Sequence, residues 1–330
     1  MPDVSHRHSD QPLLIIVGIC TYRRPHGLQR LLQGLAGQTF TEGKRPPFEI
    51  LIVDNEGSPE TERICAAFRA TTADIPLTRV VELRRGISQA RNTLLDNVPS
   101  ACDYLAMIDD DECPSAGWLD SLLATQQKTG AEIVRGPVSA VYSEAAPAWV
   151  VRGEYFGWPR DRPACVDGQV MSSASTGNTL VKMACIRRGY YRFDPGLALS
   201  GGEDTVFFDK ICEQGCLIVY SAAAMVEEFI PPERTTLAAL LRLSYRNGNN
   251  RLGKHLRMSA YNGRPARVAL FFAVQGLKSI RDICTGVIGI AAFWLPRKNG
   301  PDRLHDGLLQ IARGFGQLTG LFGLRYQYYR

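Results

Sequence analysis

The segment YLAMIDDDE, residues 104–112, places an apolar run directly before four consecutive acidic residues. A short apolar run such as 104–108 is typical of a buried strand, and the carboxylates then fall at its carboxyl end. Open α/β sheets bind their ligands at that edge. In extended geometry Asp109 and Asp111 leave the same face of the chain, so both can share one hard cation or its phosphate ligands. The pattern predicts a metal-assisted reaction on a nucleoside diphosphate.

A polar loop that caps a following helix, residues 118–129, is the alternative, and the acidic segment alone favours neither interpretation. Two other metal sites do not fit. A calcium EF-hand loop that starts at Asp109 requires an oxygen ligand, a glycine and a glutamate where this chain has Cys113, Pro114 and Asp120. A zinc site is disfavoured because no CxxC pair occurs and none of the five histidines lies near the cluster.

The composition predicts a globular protein with reduced thiols. The chain has 330 residues, 45% hydrophobic and 22% charged, which is enough to bury a substantial core. Its nine cysteines are scattered and odd in number, as expected of a reducing cytoplasm. Residues 1–12, MPDVSHRHSDQP, contain no apolar signal core, so we expect a flexible tail and a cytoplasmic location.

Short apolar runs alternate with stretches of helical periodicity in the first 140 residues. The runs are 13–20, 48–53, 77–83, 104–108 and 133–138, and the predicted helices are 28–35, 60–70 and 87–97. This alternation predicts an α/β fold with a mostly parallel sheet covered by helices on both faces. Neither a GxGxxG fingerprint nor a GxxxxGK[ST] loop follows the first strand, which disfavours dinucleotide oxidoreductases and P-loop enzymes.

Polar residues at the ends of the first two strands border the same predicted crevice. Asp54 ends the second strand and can accept the imide N–H of a uracil, while Thr21, Tyr22 and Arg23 follow the first strand. Asp54 can instead be an ordinary turn aspartate. We favour nucleotide binding because strands one, two and four would then all deliver polar groups to one edge.

Five motifs in order resemble those of the inverting glycosyltransferases of family 2, which have the GT-A fold, and most closely the bacterial succinoglycan-type exopolysaccharide glucosyltransferases. The motifs are CTYRRP (20–25), VDNEGS (53–58), RRGISQARN (84–92), MIDDDE (107–112) and GGEDTVFF (201–208). The resemblance runs from residue 13 to about residue 251. It implies nucleoside contacts from Thr21, Tyr22, Arg23 and Asp54, donor contacts from Arg85, Arg91, Asp109 and Asp110, and a magnesium or manganese ion on Asp109 and Asp111.

The resemblance also implies that Asp204 is the general base and that Glu203 shapes its pocket. Gly201 and Gly202 allow close backbone approach, and the two carboxylates would open a helix whose N-terminal dipole stabilises them. Without the resemblance, an ordinary acidic first turn would be the better interpretation.

One departure from the family concerns the metal. Many relatives place a histidine ligand after the base helix, whereas this chain has AMVEEFIPPER at residues 224–234. We predict Glu227 as the third ligand. Arg234 and Arg246 follow; they can clamp the departing diphosphate or face solvent and lipid headgroups.

The carboxyl-terminal third is a basic module. From Arg234 onward the chain has 16 Lys and Arg against 3 Asp, a net charge of +13, which leaves −8 for the earlier residues given +5 overall. Its apolar runs at 268–277 and 283–295 are separated by Lys278, Arg281 and Asp282, and neither approaches the ~20 residues that cross a bilayer. We predict interfacial membrane binding and no nucleic-acid partner; a helical cap on the catalytic domain or a dimer interface has nearly equal weight.

The predicted organisation is a tail (1–12), a GT-A catalytic domain (13–233) with a nucleotide-sugar half (13–140) and an acceptor half (141–233), and the basic region (234–330). The predicted activity is hexose transfer, with inversion, from UDP-glucose to a lipid-linked saccharide at the inner face of the cell membrane. A sugar-nucleotide pyrophosphorylase is a weaker alternative because CTYRRP lacks the glycine-rich loop such enzymes need. A catalytically silent saccharide-binding subunit is the alternative from another class.

Overall fold

The protein is described by a computed structural model that covers residues 13–41, 46–159, 165–256, 265–292 and 303–327. The predicted tail at residues 1–12 lies outside these ranges. The last residues of the apolar run that ends at residue 295 lie outside them too.

Eleven strands are found in the described residues. They are β1 Ile15–Thr21, β2 Phe48–Asp54, β3 Leu77–Val81, β4 Tyr104–Met107, β5 Glu112–Pro114, β6 Ile133–Arg135, β7 Val138–Tyr142, β8 Val170–Met171, β9 Thr179–Lys182, β10 Ile218–Tyr220 and β11 Val226–Ile230. Eight form one sheet in the order β3-β2-β1-β4-β9-β6-β10-β8, and β5-β11-β7 form a second. Strands β3, β2, β1 and β4 are parallel, whereas β9 runs antiparallel to both of its neighbours. The predicted α/β fold with a mostly parallel sheet is confirmed.

The helices of the described residues are α1 Pro25–Ala36, α2 Pro59–Thr71, α3 Ile87–Asn97, α4 Trp118–Thr129, α5 Ala148–Gly153, α6 Met183–Arg188, α7 Glu203–Glu213, α8 Leu237–Leu256, α9 Pro265–Ala291 and α10 Arg303–Leu321. Their starts follow local chemistry. The Ser58 side chain accepts a hydrogen bond from the backbone N–H of Glu60, and Pro59 occupies the first position of α2. Gly86 precedes α3 with a φ of 135°, which a residue with a side chain rarely adopts.

Alternate residues of β1 serve two cores, one on each face of the large sheet. Ile15, Val17 and Ile19 pack in the same cluster as the leucines of α1, and Ile16 packs with Leu94 of α3 and Phe207 of α7. This explains the nearly continuous apolar sequence of the strand, because both of its faces are buried.

The apolar run at residues 133–138 is not one strand, as the sequence predicted, but parts of two. β6 belongs to the large sheet and β7 to the small one. Gly136 lies between them, where a methyl group would overlap the backbone oxygen of Ala224, and Pro137 follows. The close backbone approach at Gly136 diverts the chain from one sheet to the other.

The carboxyl-terminal helices pack on the catalytic region. Asn250 of α8 donates hydrogen bonds to the backbone oxygens of Ser200 (2.6 Å) and Gly201 (3.1 Å), directly before α7. α10 packs against both α8 and α9. The helical-cap alternative therefore describes α8 and α10. In the described part of the chain no helix has the length and apolar character needed to cross a membrane.

α9 is continuous through the polar residues that were expected to separate two apolar runs. Asp282 is buried and accepts a hydrogen bond from Gln317 of α10 at 3.1 Å. The hydroxyl of Ser279 bonds to the oxygen of the same glutamine side chain at 3.1 Å. These polar groups are satisfied between the two helices, so they do not interrupt α9.

The cysteines differ from the expectation of reduced thiols at one pair. Cys185 of α6 and Cys216, two residues before β10, form a disulfide, and the other seven cysteines are free. Spacing in the sequence gave no reason to pair them, because 31 residues separate the two.

We expect Gly316→Ala in α10 to lower the free energy of unfolding by about 1–3 kcal/mol. A methyl group there would overlap the backbone oxygen of Tyr245 and force α8 and α10 apart. Gly276→Ala is the matched control, since a methyl group at that helical glycine meets open space and should raise stability by about 0.5–1 kcal/mol. Urea unfolding of both variants measures this. Equal effects would show that the glycine contact does not hold the two helices together.

Candidate active site

Asp110 organises the loop that follows β1. Its carboxylate accepts hydrogen bonds from the Thr21 hydroxyl (2.9 Å), the Tyr22 backbone N–H (3.3 Å) and the Arg24 guanidinium (2.7 Å). Burial raises the pKa of Asp110 to about 6, although Arg24 acts against that shift. Asp110, the middle one of the three consecutive aspartates, therefore fixes the backbone at the end of β1.

A tight turn directs Asp109 and Asp111 into the same cavity. The Glu112 backbone N–H donates to the Asp109 backbone oxygen at 3.1 Å, and the Asp109 N–H donates to the Glu112 carboxylate at 3.0 Å. Both aspartates line a cavity of about 310 Å³, which we call the reaction cavity. We predicted that Asp109 and Asp111 converge because the chain is extended there. They do line the same cavity, but it is a turn of the backbone that brings them together.

A second cavity, of about 380 Å³, lies at the ends of β1 and β4, and we call it the donor cavity. It gathers most residues predicted to contact the donor: Thr21, Tyr22, Arg23, Arg85, Arg91, Asp109 and Asp110. The Tyr22 ring has the guanidinium groups of Arg23 and Arg85 at 5.0 and 5.6 Å from its centre. An aromatic face beside cationic groups suits a nucleobase and its phosphates.

Asp54 lies outside the donor cavity and does not have the geometry predicted for it. Its carboxylate accepts hydrogen bonds from the backbone N–H groups of Glu56, Gly57 and Ser58 at 2.9–3.0 Å. It also forms an ion pair with Arg79 at 2.6 Å and is 1% exposed. The structure favours the alternative of a turn aspartate, because these partners occupy both oxygens.

Asn55, which the sequence analysis did not single out, lines the donor cavity instead. Its side chain donates to the backbone oxygens of Glu82 (2.6 Å) and Arg84 (2.9 Å) and accepts from the Gly86 N–H (3.0 Å). These bonds fix the loop that carries Arg85. The sequence offered one indication of this role, because Asn55 directly follows Asp54 in the VDNEGS motif.

Two left-handed glycines place the acidic pair of α7 at the reaction cavity. Gly201 and Gly202 have φ angles of 82° and 85°, which a side chain would disfavour. α7 begins at Glu203, and Asp204 in its first turn lines the reaction cavity together with Asp109 and Asp111. The sequence predicted this helix start.

Arg91 of α3 connects the two predicted halves of the site. Its guanidinium forms ion pairs with Glu203 and, at 3.4 Å, with Asp109. Arg91 and Glu203 are both buried, so each compensates the charge of the other. Glu203 therefore links α7 to α3 through Arg91; its predicted role in shaping the pocket of the base stays a prediction.

Four of the carboxyl groups around the reaction cavity hold their protons more tightly than free ones do. Burial raises the pKa of Asp109, Glu112, Glu203 and Glu228, and Arg91 opposes the shift at Asp109 and Glu203. Carboxylates that share a buried site are stabilised in the ionised form by a cation. The site therefore favours the binding of positive charge.

Glu228, rather than Glu227, faces the reaction cavity. The two residues are successive in β11 and so point to opposite faces. Glu227 is exposed, whereas Glu228 lines the cavity and pairs with Arg234 at 2.8 Å. The prediction of Glu227 as a third metal ligand is therefore wrong about the residue, because strand pairing with β5 and β7 fixes a register that the sequence did not reveal.

Arginines line the reaction cavity opposite the carboxylates. Arg24 and Arg234 approach the Asp111 carboxylate at 3.2 and 3.4 Å, and Arg246 of α8 lines the same cavity. Arg135 stacks on the Trp158 ring at 3.4 Å, and burial lowers its pKa to about 10. Arg234 and Arg246 were predicted from the sequence as contacts of the diphosphate, whereas Arg24 and Arg135 were not.

The donor atoms at this site suit a hard divalent cation. Asp109, Asp111 and Glu228 offer carboxylate oxygens to one cavity, and magnesium and manganese prefer oxygen ligands. In the described residues the side chains do not form a ready-made group of three or more metal ligands. Arg24 and Arg234 pair with Asp111. A cation could bind the Asp111 carboxylate once these two arginines pair with another anion.

Comparisons with known proteins identify the family of this chain. The family model "Glycosyl transferase family 2" matches residues 16–189, which include the loop after β1, the acidic turn and β9. The chain belongs to glycosyl transferase family 2. The succinoglycan biosynthesis protein ExoM of Rhizobium meliloti is 34% identical over 270 residues, 82% of this chain and 83% of that relative. The resemblance inferred from the five motifs is confirmed, and the chain is a glycosyltransferase.

Solved structures show that this glycosyltransferase has the GT-A fold. The mannosyltransferase PcManGT from Pyrobaculum calidifontis, in complex with GDP-Man and Mn²⁺, aligns with a TM-score of 0.59 at 17% identity over 96% of this chain and 88% of its own. TarS of S. aureus, residues 1–349 in complex with UDP-GlcNAc, aligns with a TM-score of 0.52 at 14% identity over 96% and 93%. At these identities the similarity concerns the fold alone.

We expect Asp54→Asn in this glycosyltransferase to lower the free energy of unfolding by about 1.5–3 kcal/mol, because it removes the buried charge that pairs with Arg79 and leaves Arg79 only the more exposed Glu62. Affinity for UDP should stay near the wild-type value in the folded protein. Urea unfolding and UDP titration measure the two quantities. The double variant Asp54→Asn, Arg79→Met should recover part of the stability. Unchanged stability together with lost UDP binding would restore the predicted nucleoside role.

Proposed function

We propose that this glycosyltransferase transfers a hexose, glucose from UDP-glucose, to a hydroxyl of a lipid-linked saccharide in the synthesis of a bacterial exopolysaccharide. The reaction would take place at the cytoplasmic face of the cell membrane. The observation that carries the proposal is the joint placement of Asp109, Asp111 and Asp204 in one cavity that adjoins the donor cavity. Similarity to a succinoglycan biosynthesis protein supports the exopolysaccharide product.

The donor would lie across the two cavities. Tyr22, with Arg23 and Arg85 beside its ring, would receive the nucleoside. Asp109 lines both the donor cavity and the reaction cavity, and Asp111 lines the reaction cavity, so the diphosphate would bind beside them. Arg234 and Arg246 would then contact the phosphate oxygens as charge-assisted donors.

Asp204 would act as the general base. It is half-buried, lines the reaction cavity, and accepts hydrogen bonds from the N–H and hydroxyl of its neighbour Thr205. Its carboxylate would take the proton of the acceptor hydroxyl as that oxygen attacks the anomeric carbon and the UDP oxygen leaves. This single displacement inverts the anomeric configuration. A bound magnesium or manganese ion on Asp109, Asp111 and Glu228 would supply Lewis-acid stabilisation of the leaving diphosphate.

We expect Asp204→Asn to lower kcat by about 10²- to 10⁴-fold with UDP affinity nearly unchanged, because the amide cannot accept the acceptor proton. Glu203→Gln is the informative comparison, since it removes the charge partner of Arg91 and should lower stability as well as turnover. Release of UDP from UDP-glucose with extracted lipid-linked acceptor measures turnover. A parallel loss of UDP binding and turnover in Asp204→Asn would make Asp204 a donor-site residue. Retention of the α-configuration in the product would contradict single displacement.

The metal prediction separates the two glutamates of β11. Glu228→Gln should raise the Mn²⁺ concentration needed for half-maximal binding by about 10- to 100-fold, because it removes an oxygen ligand or the group that orients one. Glu227→Gln, on the exposed face of the same strand, should bind Mn²⁺ like the wild type. Electron paramagnetic resonance of free Mn²⁺ with UDP present measures binding without turnover. Identical titrations for all three proteins would remove Glu228 from the metal site.

The sugar and nucleotide can be identified by ligand stabilisation. Each nucleotide sugar raises the unfolding temperature according to its concentration and its dissociation constant. We expect UDP-glucose to stabilise more than UDP-galactose, UDP-GlcNAc or GDP-mannose. A chain that binds the donor but releases no UDP with acceptor would be the silent saccharide-binding subunit.

A further inference from the structure

The outer face of α9 is apolar and exposed. Five large apolar side chains on it are each more than half exposed: Leu270, Leu277, Ile280, Val287 and Ile288. The exposed residues Ala273, Val274 and Cys284 lie between them. Separations of three, four and seven residues place all eight on one side of the helix. We call this surface the α9 face.

The opposite side of the same helix explains why the α9 face is unusual. Phe271, Gln275, Ser279, Asp282 and Gly286 are buried toward α10. The buried side of α9 thus carries the polar groups of Gln275, Ser279 and Asp282, whereas its exposed side is apolar. A surface helix of a soluble protein is normally polar on its outer side, and a continuous exposed apolar surface marks an interaction site. Within the described residues no element covers it.

The charges around the α9 face select its partner. Arg281 lies within the exposed arc, with a side chain that is 66% exposed, and Lys278 lies at its edge. The sole acidic residue of α9 is Asp282, which is buried and bonded to Arg281 and Gln317. The exposed arc thus combines apolar and cationic side chains without an acidic one.

We propose that the α9 face binds the surface of an anionic membrane, with α9 parallel to the membrane plane. Its apolar side chains would enter the boundary between headgroups and acyl chains, while Lys278 and Arg281 contact lipid phosphates. A second copy of the chain fits less well, because it would bring together two modules that each carry a net charge of +13. The purpose of this contact, access to a lipid-linked acceptor, depends on the proposed function, but the contact itself does not.

The test uses the full chain and vesicles of defined composition, without any sugar. Wild-type protein should float with vesicles of phosphatidylcholine and phosphatidylglycerol at low salt and less with phosphatidylcholine alone. The double variant Leu277→Gln, Ile280→Gln should need at least about tenfold more lipid for half-maximal binding. Val166→Gln with Val170→Gln is the matched control, since it removes two exposed apolar side chains elsewhere and should bind like wild type.

Three results would overturn the proposal. The double variant could float like the wild type, the wild type could fail to float, or the wild type could form a lipid-free dimer that the double variant abolishes. The last result would assign the face to a second copy. An equal unfolding midpoint for all variants excludes loss of the fold, since the substituted side chains are exposed. The proposed function is tested separately, by release of UDP from UDP-glucose and extracted acceptor with the same protein preparations. Normal flotation without turnover would therefore count against the activity alone.

Discussion

The buried guanidinium of Arg91 is the group on which the geometry of the site depends. It lies in α3, yet both of its charge partners come from distant parts of the chain: Asp109 after β4 and Glu203 at the start of α7. A buried cation is tolerated only when it is paired. Separation of α7 from α3 would leave the buried Glu203 uncompensated and Arg91 with Asp109 alone, so the electrostatics favour one arrangement of the acidic turn and α7.

The remaining charges of the reaction cavity follow a second constraint. Asp111 pairs with Arg24 and Arg234, and Glu228 pairs with Arg234, so carboxylates and guanidinium groups compensate each other. A diphosphate and a hard cation that arrive together would provide a new partner for each set, because the phosphates can accept from the arginines and the cation can bind the carboxylates. Either one alone would leave one set unpaired in a partly buried cavity. The charges of the chain itself would therefore couple metal binding to donor binding.

The sequence predicted those parts of the fold and site that local chemistry determines. The strand runs, the start of α7 and the loop after β1 were all visible as short patterns. The errors arose where a distant residue decides the outcome. Asp54 pairs with Arg79 across 25 residues, which removes it from the donor cavity. The choice between Glu227 and Glu228 depends on a strand register set by β5 and β7, and two adjacent glutamates cannot reveal it.

Arg24 was missed for a more local reason, and the same reason explains how the loop works. Arg23 has a φ of 55°, which turns the chain between two adjacent arginines. Arg23 then pairs with the exposed Glu56, whereas Arg24 reaches Asp110 and Asp111. The structure thus gives two identical side chains different surroundings: Arg23 lies beside Tyr22 in the donor cavity, and Arg24 lies at the acidic turn. The carboxyl-terminal helices form a stack that contacts the site from outside. Asn250 of α8 bonds to the backbone before α7, α10 packs on α8, and α9 packs on α10. Because α9 is connected through that stack to the backbone before α7, a surface bound by α9 would have a fixed position relative to the reaction cavity.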